Sequence, residues 1–598
     1  MKYFNRALIM ISAVFVMASC NTQTAPQTES PDAAFRKLLK NFYERSLVLN
    51  PLQATQIGDN RYNNLLPNNL TIAYRNQVSS YYQSYLDSLS QFDRSKLTYE
   101  NQISYDVLKW EAEINLDGQR FHEELLPINQ FWSLTLTMGQ LGSGSFTQPF
   151  KTVKDYDDFL SRISAFAEWC DTAVVNMRRG MAMGYVLPKI LAQRVKPQLK
   201  DMITTDPSKS LFYTPVNNMP AGFSEADRSR LTAAYTRAIQ EQLVPSYQKL
   251  YDFFDKEYIP ACRATAGISE IPDGREYYNH LIRQWTTTDM TADQVFDLGM
   301  KEVNRIQGEM EKIKDRVGYK GDLKSFLQYI RTDKQFFPFE TDSDVIRGFR
   351  AIYEKEKPMV DKLFTTQPKS RFEIRETEAF RAASASAEYQ QGTPDGSRPG
   401  IFYVPILDAR KFNSVGMETL FLHEAVPGHH FQNSLQMEDT TLPGFRRYIW
   451  YGAYGEGWAL YTESLGEQLG LYTDPYQKLG NLSEEMHRAI RLVVDVGMHV
   501  KGWTREQAIA FSLERDAESE ADITSEIERY MAIPGQALGY KIGQLKILEL
   551  RAKAQQELGD KFNWGDFHEE ILKNGCLPLS VMESDFNKWL QEEKRRPT

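Results

Sequence analysis

The chain has 598 residues, 42% hydrophobic and 25% charged, an ordinary globular composition with ample apolar material for one large helical body or two to three domains. Its formal net charge is −9, and −11 once residues 1–19 are set aside; with no basic tract, this acidic balance argues against nucleic-acid binding. Four widely spaced cysteines, Cys20, Cys170, Cys262 and Cys576, exclude both a disulfide framework and a cysteine-based zinc site.

The N-terminus has the form of a targeting segment. Lys2 and Arg6 precede an apolar run from Ala7 to Val16, too short to span a bilayer, and then comes Met17-Ala18-Ser19-Cys20. We expect a lipoprotein signal peptide over 1–19, a lipidated Cys20 and a polar tether over 20–30. The alternative is an ordinary signal peptide with an incidental cysteine. Asn21, rather than aspartate, follows Cys20, which favours anchoring in the outer membrane, facing the periplasm.

From Pro31 the sequence reads as helix after helix. Phe35, Leu38, Leu39, Phe42 and Leu47 recur at helical spacing until Asn50-Pro51. Further helices are predicted near 70–92, 98–117, 154–182 and 223–256. Over 290–317, Thr291 and Gln294 have capping-box spacing and Val295, Leu298, Val303, Ile306, Met310 and Ile313 form a core stripe. Around 371–406 the pattern changes. Arg371–Arg375 alternates, Ala387–Gln390 is short, Ile401–Pro405 is aromatic and β-branched, and 392–400 is dense in turn residues. These segments predict a small sheet of about three strands. Helices resume over 413–434, 445–470, 475–499, 504–514, 518–531, 534–558 and 580–595. The expected architecture is mainly α, a large helical body of two lobes with a cleft between them, the N-terminal lobe over 31–280 and the catalytic one over 281–598.

The chemistry concentrates in Phe421-Leu422-His423-Glu424-Ala425-Val426-Pro427-Gly428-His429-His430. A histidine followed by glutamate, with a second histidine one helical step on, is how many zinc hydrolases hold their metal and place a general base. The usual step is i+4, which here is Pro427. On a regular helix His423 and His429 would diverge by about 120°, and His430 would lie roughly 10 Å along the axis from His423. Pro427 has no amide hydrogen and clashes with the His423 carbonyl, and Gly428 permits unusual angles, so we expect a helix bulge absorbing two residues. His429 is the expected second ligand and His430 the alternative. Glu424 is the expected general base. Glu456, between Gly455 and Gly457 on the next helix, is the expected third ligand, and Glu463, two turns on, is expected to orient a ligand. Arg491, Asp495 and His499 share one helix face as either a substrate-facing set or a salt-bridge ladder. Tyr540, near the Pro534-Gly535-Gln536 break, is the expected oxyanion donor.

His423–His430, Gly455–Tyr461, Arg491–Asp495, Pro534–Leu538 and Asp395–Gly400 together resemble the bacterial family labelled "domain of unknown function 885", over nearly the whole mature chain. The resemblance implies a zincin-like fold of the type whose third zinc ligand is a glutamate, laid out as in helical oligopeptidases. The resulting expectation is a lipid-anchored Zn²⁺ metallopeptidase acting on short peptides. The alternative is a non-catalytic envelope lipoprotein that binds peptides or partners in the same cleft.

Overall fold

The computed structural model describes residues 29–377, 382, 386–393 and 398–596. The signal peptide, Cys20, nearly all of the tether and the turn residues 394–397 lie outside the described residues. The protein is mainly α with one small sheet, as expected. Among the described residues no helix is long and apolar enough to cross a membrane.

Helices α1 (Pro31–Leu49), α2 (Ile72–Leu89) and α3 (Tyr99–Gly118) open the fold. Ser30 caps α1 by accepting from the Ala33 amide, and Pro31 sits at its first position, where a missing amide costs nothing. Next come α4 (Val153–Met183), α5 (Gly274–Thr286), α6 (Ala292–Arg316) and α7 (Asp342–Leu363). The Thr291–Gln294 capping box starts α6 as predicted. The strands are β1 (Phe372–Glu376), β2 (Glu388–Gln390) and β3 (Gly400–Val404). Their order is β1-β3-β2, with β1 parallel and β2 antiparallel to a fully buried β3.

After the sheet, α8 (Met417–Glu424) and α9 (His429–Glu438) carry the histidine motif, and α10 (Gly452–Glu463) follows. Helices α11 (Pro475–His499), α12 (Glu520–Ala532) and α13 (Leu538–Leu558) complete the surroundings of the motif. Two predicted helices are each broken in two. The 413–434 segment is interrupted between Glu424 and His429, and 445–470 gives a short helix, Gly444–Tyr448, extended residues, and then α10.

The described residues form three hydrophobic cores. One, around α4, draws on residues 66–258. A second joins α6, α11 and α12. The third combines α1–α3 with α8, α10 and α13, so the first helices share a core with residues beyond 281. Phe42 meets Phe445 edge-on at 5.4 Å and Trp110 meets Tyr451 at 5.1 Å. Arg446, fully buried, donates to Ser104 at 3.2 Å.

The crossing of α10 and α13 is closer than side chains would allow. A Cβ added to Gly457 would lie 2.5 Å from the Gly543 Cα, and one added to Gly543 would overlap the Ala453 carbonyl oxygen. Only glycine at both positions permits this backbone contact. Gly543→Ala should therefore destabilise the protein by about 2 kcal/mol or more, measured by chemical denaturation; an unchanged midpoint would show that the crossing can open freely.

Candidate metal centre

Helix α8 is buried along its length and ends at Glu424. The backbone leaves the helical region at Ala425 (φ −108°, ψ −102°) and again at Gly428 (φ −76°, ψ −131°), with a cis Val426–Pro427 bond between them. The expected bulge in a continuous helix is thus a four-residue break followed by a new helix at His429. The physical reason is a close approach. Gly428 lies against the carbonyl oxygens of Leu422 and His423, both of which a Cβ would overlap. Helix α10 ties the break down, the Trp458 indole N–H donating to the Pro427 carbonyl at 2.8 Å and the Thr462 hydroxyl to that of Leu422 at 2.9 Å.

This link turns His429 back toward His423. Their rings stand 4.8 Å apart at 89°. Glu456 Oε2 lies 3.7 Å from His423 Nε2 and 3.4 Å from His429 Nε2. Ligand-capable atoms of His423, His429 and Glu456 all fall within 4.8 Å of one another. His430 points the other way, with Nδ1 3.1 Å from the Tyr389 hydroxyl and 3.3 Å from that of Ser434, and its ring against Phe372. Of the two histidines, His429 is the one brought beside His423 and Glu456.

Glu463 is fully buried, and its Oε1 lies 2.7 Å from His423 Nδ1, which fixes that ring with Nε2 toward Glu456. Burial opposes a charge on His423, but the bonds to Glu456 and Glu463 outweigh it and push its pKa up to about 10. Glu456, also desolvated, is held well below the usual carboxylate range by His429 and His423. Burial raises the Glu424 carboxyl, partly offset by the two histidines and by the Tyr389 backbone amide of β2. Burial likewise raises Glu463 and lowers His430 to about 4.

On the far side, burial and then the charge of Glu456 raise the Tyr540 phenol. The Arg491 guanidinium stacks 4.6 Å from the Tyr540 ring centre, while donating to Tyr530 and Glu526 at 2.9 Å each. Asp495 and His499 are not brought to the cluster. Asp495 accepts from the Tyr278 hydroxyl at 2.5 Å and the Gly535 amide at 3.1 Å. His499 accepts from the Ile268 amide at 2.9 Å and reaches the Tyr530 carbonyl at 3.0 Å. Both serve the interior because this part of α11 is buried on every face.

One neighbour escaped the sequence reading. Trp450 is 43% exposed, lies over Gly455 where a Cβ would enter the indole, and stands 5.9 Å from the His429 ring. Its signal was an aromatic residue shortly before Gly455-Glu456-Gly457.

The family described as "Bacterial protein of unknown function (DUF885)" matches residues 51–585. The chain belongs to the DUF885 family. This DUF885 protein is similar to a solved structure described as a "putative lipoprotein" from Colwellia psychrerythraea, at 28% identity and a TM-score of 0.85, covering 94% of this chain and 100% of that one. A second, a "putative lipoprotein of unknown function" from Shewanella oneidensis, shares the fold at 21% identity and a TM-score of 0.73, covering 92% and 99%. No curated protein matches the DUF885 chain.

If α10 braces the break, Trp458→Phe should remove the donor to Pro427 and lower stability by about 1–3 kcal/mol, read from denaturant unfolding. Wild-type stability in that variant would remove the indole from this role.

Proposed function

We propose that this DUF885 protein is a zinc-dependent, zincin-like hydrolase that cleaves peptide bonds of short peptides. The observation that carries the reading is the convergence of His423, His429 and Glu456 from three helices. Two imidazole nitrogens and a carboxylate oxygen form the donor set of glutamate-liganded zinc hydrolases. Ligands about 2.0–2.1 Å from one tetrahedral ion lie roughly 3.4 Å from each other. The separations of 3.4 and 3.7 Å from Glu456 Oε2 to the two Nε2 atoms fit that spacing. The Glu463 carboxylate on His423 Nδ1 is the partner a ligating imidazole needs to present its other nitrogen.

A bound Zn²⁺ would polarise the scissile carbonyl and lower the pKa of a water toward ~7. The chain's own residues do the rest. Glu424, adjoining His423 and with its proton affinity raised by burial, takes a proton from the attacking water and passes it to the leaving amine. Tyr540, beside Glu456, donates to the developing oxyanion. Edge strand β2, whose Tyr389 amide faces Glu424, offers backbone pairing to an extended peptide without reading its side chains.

The same reading places the enzyme on the outer membrane, facing the periplasm, through a lipid on Cys20. Its support is the N-terminal pattern Met17-Ala18-Ser19-Cys20-Asn21 and the description of both solved structures as a "putative lipoprotein".

Glu424→Gln should keep the metal and the unfolding temperature yet lower hydrolysis of a peptide library by about 10²–10⁴-fold, followed by mass spectrometry; full activity would sink the mechanism. Metal analysis after dialysis should find about one zinc per chain in wild type and His430→Ala and a loss in His429→Ala. Equal retention in both variants would remove His429 from the ligand set.

A further inference from the structure

Beside the candidate metal centre, Trp450 turns a large apolar ring to solvent. The residue is 43% exposed, yet its ring stands 5.9 Å from that of His429. Large aromatic side chains dominate the energetics of cores and interfaces, so an indole kept uncovered next to a reactive cluster is costly unless something comes to cover it.

The fold holds this indole in place. Gln436 of α9 donates from its side-chain amide to the Ile449 carbonyl at 3.0 Å, and the Tyr451 amide donates to Cys576 Sγ at 3.1 Å. Tyr451 is itself buried, its ring edge-on to Trp110 at 5.1 Å. The residues on either side of Trp450 are thus tied to the interior while the side chain between them stays outside. Gly455 supplies its seat, since a Cβ there would overlap the six-membered ring of the indole. Of the two glycines that flank Glu456, Gly457 admits α13 and Gly455 admits Trp450. A ring fixed in this way before any ligand arrives loses little further entropy on contact.

Position names the occupant. Consecutive Cα atoms of an extended peptide are about 3.8 Å apart. For a carbonyl held at the cluster, the side chains that come within reach of Trp450 are therefore those of the two residues joined by that bond. The indole face is flat and apolar, and it packs best on another ring or on a large aliphatic side chain. We propose that Trp450 determines specificity, forming the wall of a subsite in which an aromatic or large aliphatic side chain from one of those two residues lies on its exposed face. The proposal rests on the peptidase reading above and narrows its substrates from short peptides in general to those with such a residue at the cleaved bond.

The test uses the full-length, zinc-loaded protein and alanine–glycine octapeptides that carry phenylalanine, leucine, lysine or glutamate at one central position, with cut sites read by mass spectrometry. Wild type should cut beside phenylalanine or leucine with kcat/KM about tenfold above the unsubstituted peptide, a size consistent with an aromatic contact. Trp450→Phe should keep most of that ratio. Trp450→Ala should bring it close to unity while retaining the wild-type zinc content. A ratio unaltered in Trp450→Ala would overturn the subsite and keep the peptidase. So would a fall of equal size for every peptide accompanied by loss of zinc, which is what a purely structural role beside His429 predicts. A wild-type preference for lysine or glutamate would overturn the apolar subsite too. Calorimetric titration of the phenylalanine peptide into Glu424→Gln protein, with and without Trp450→Ala, separates the two readings. Binding that depends on Trp450, with no hydrolysis by wild type, would overturn the peptidase and keep the subsite; neither binding nor hydrolysis would overturn both.

Discussion

The contact on which the site depends is that of Gly428 with the carbonyl oxygens of Leu422 and His423. Any side chain at 428 would push the backbone away, and with it the start of α9. Because the chain folds back so tightly, two histidines six residues apart face one another, a relation that no regular helix gives. The arrangement is braced from outside the motif. Trp458 and Thr462 on α10 satisfy the carbonyls of Pro427 and Leu422, and the same helix supplies Glu456 and Glu463 to the histidines. One element therefore both shapes the break and completes the cluster.

A second close approach fixes where α10 lies. Gly457 and Gly543 bring α10 and α13 into backbone contact, and Tyr540, one turn before Gly543, is near enough to Glu456 for that charge to raise its phenol. Gly539 extends the same contact to the Trp285 carbonyl. Glycines at 428, 457, 539 and 543 thus act as spacers of zero thickness, and His429, Glu456 and Tyr540 stand directly beside them in sequence. The cost of Gly457, Gly539 and Gly543 in helices, about 1 kcal/mol each relative to alanine, is offset by the packing they permit.

Much of this was legible in the sequence because the periodicities are strong. The α6 stripe and capping box, the three short strands and the helical remainder follow from local patterning that tertiary packing reinforces. The cluster was legible too, since residue types and spacing restrict what can meet. The form of the break was not. A bulge and a full restart both obey the constraint at Pro427, and what decides between them is contact with α10, remote from the motif in sequence. The extended residues before α10 escaped for a similar reason, since their aromatic and β-branched pattern also suits a buried helix. Arg491, Asp495 and His499 show a limit of another kind. Spacing establishes that they share a face of α11 but not what that face meets, and here it meets Tyr278, Gly535 and Tyr530.

The electrostatics of the cluster bear on what it is built to hold. Three carboxyls, Glu424, Glu456 and Glu463, surround two imidazoles in a desolvated pocket. Burial raises Glu424 and Glu463, on Glu456 it is outweighed by the two histidines, and on His423 it is outweighed by the bonds to Glu456 and Glu463. In the proposed zinc hydrolase His423, His429 and Glu456 would hold the ion. Glu463 would then keep its bond to His423 Nδ1, and Glu424, adjoining His423, would be placed to take a proton from water. The side chains that hold one another in this pocket are thus the ones the proposed hydrolase would need for its metal and its proton transfer.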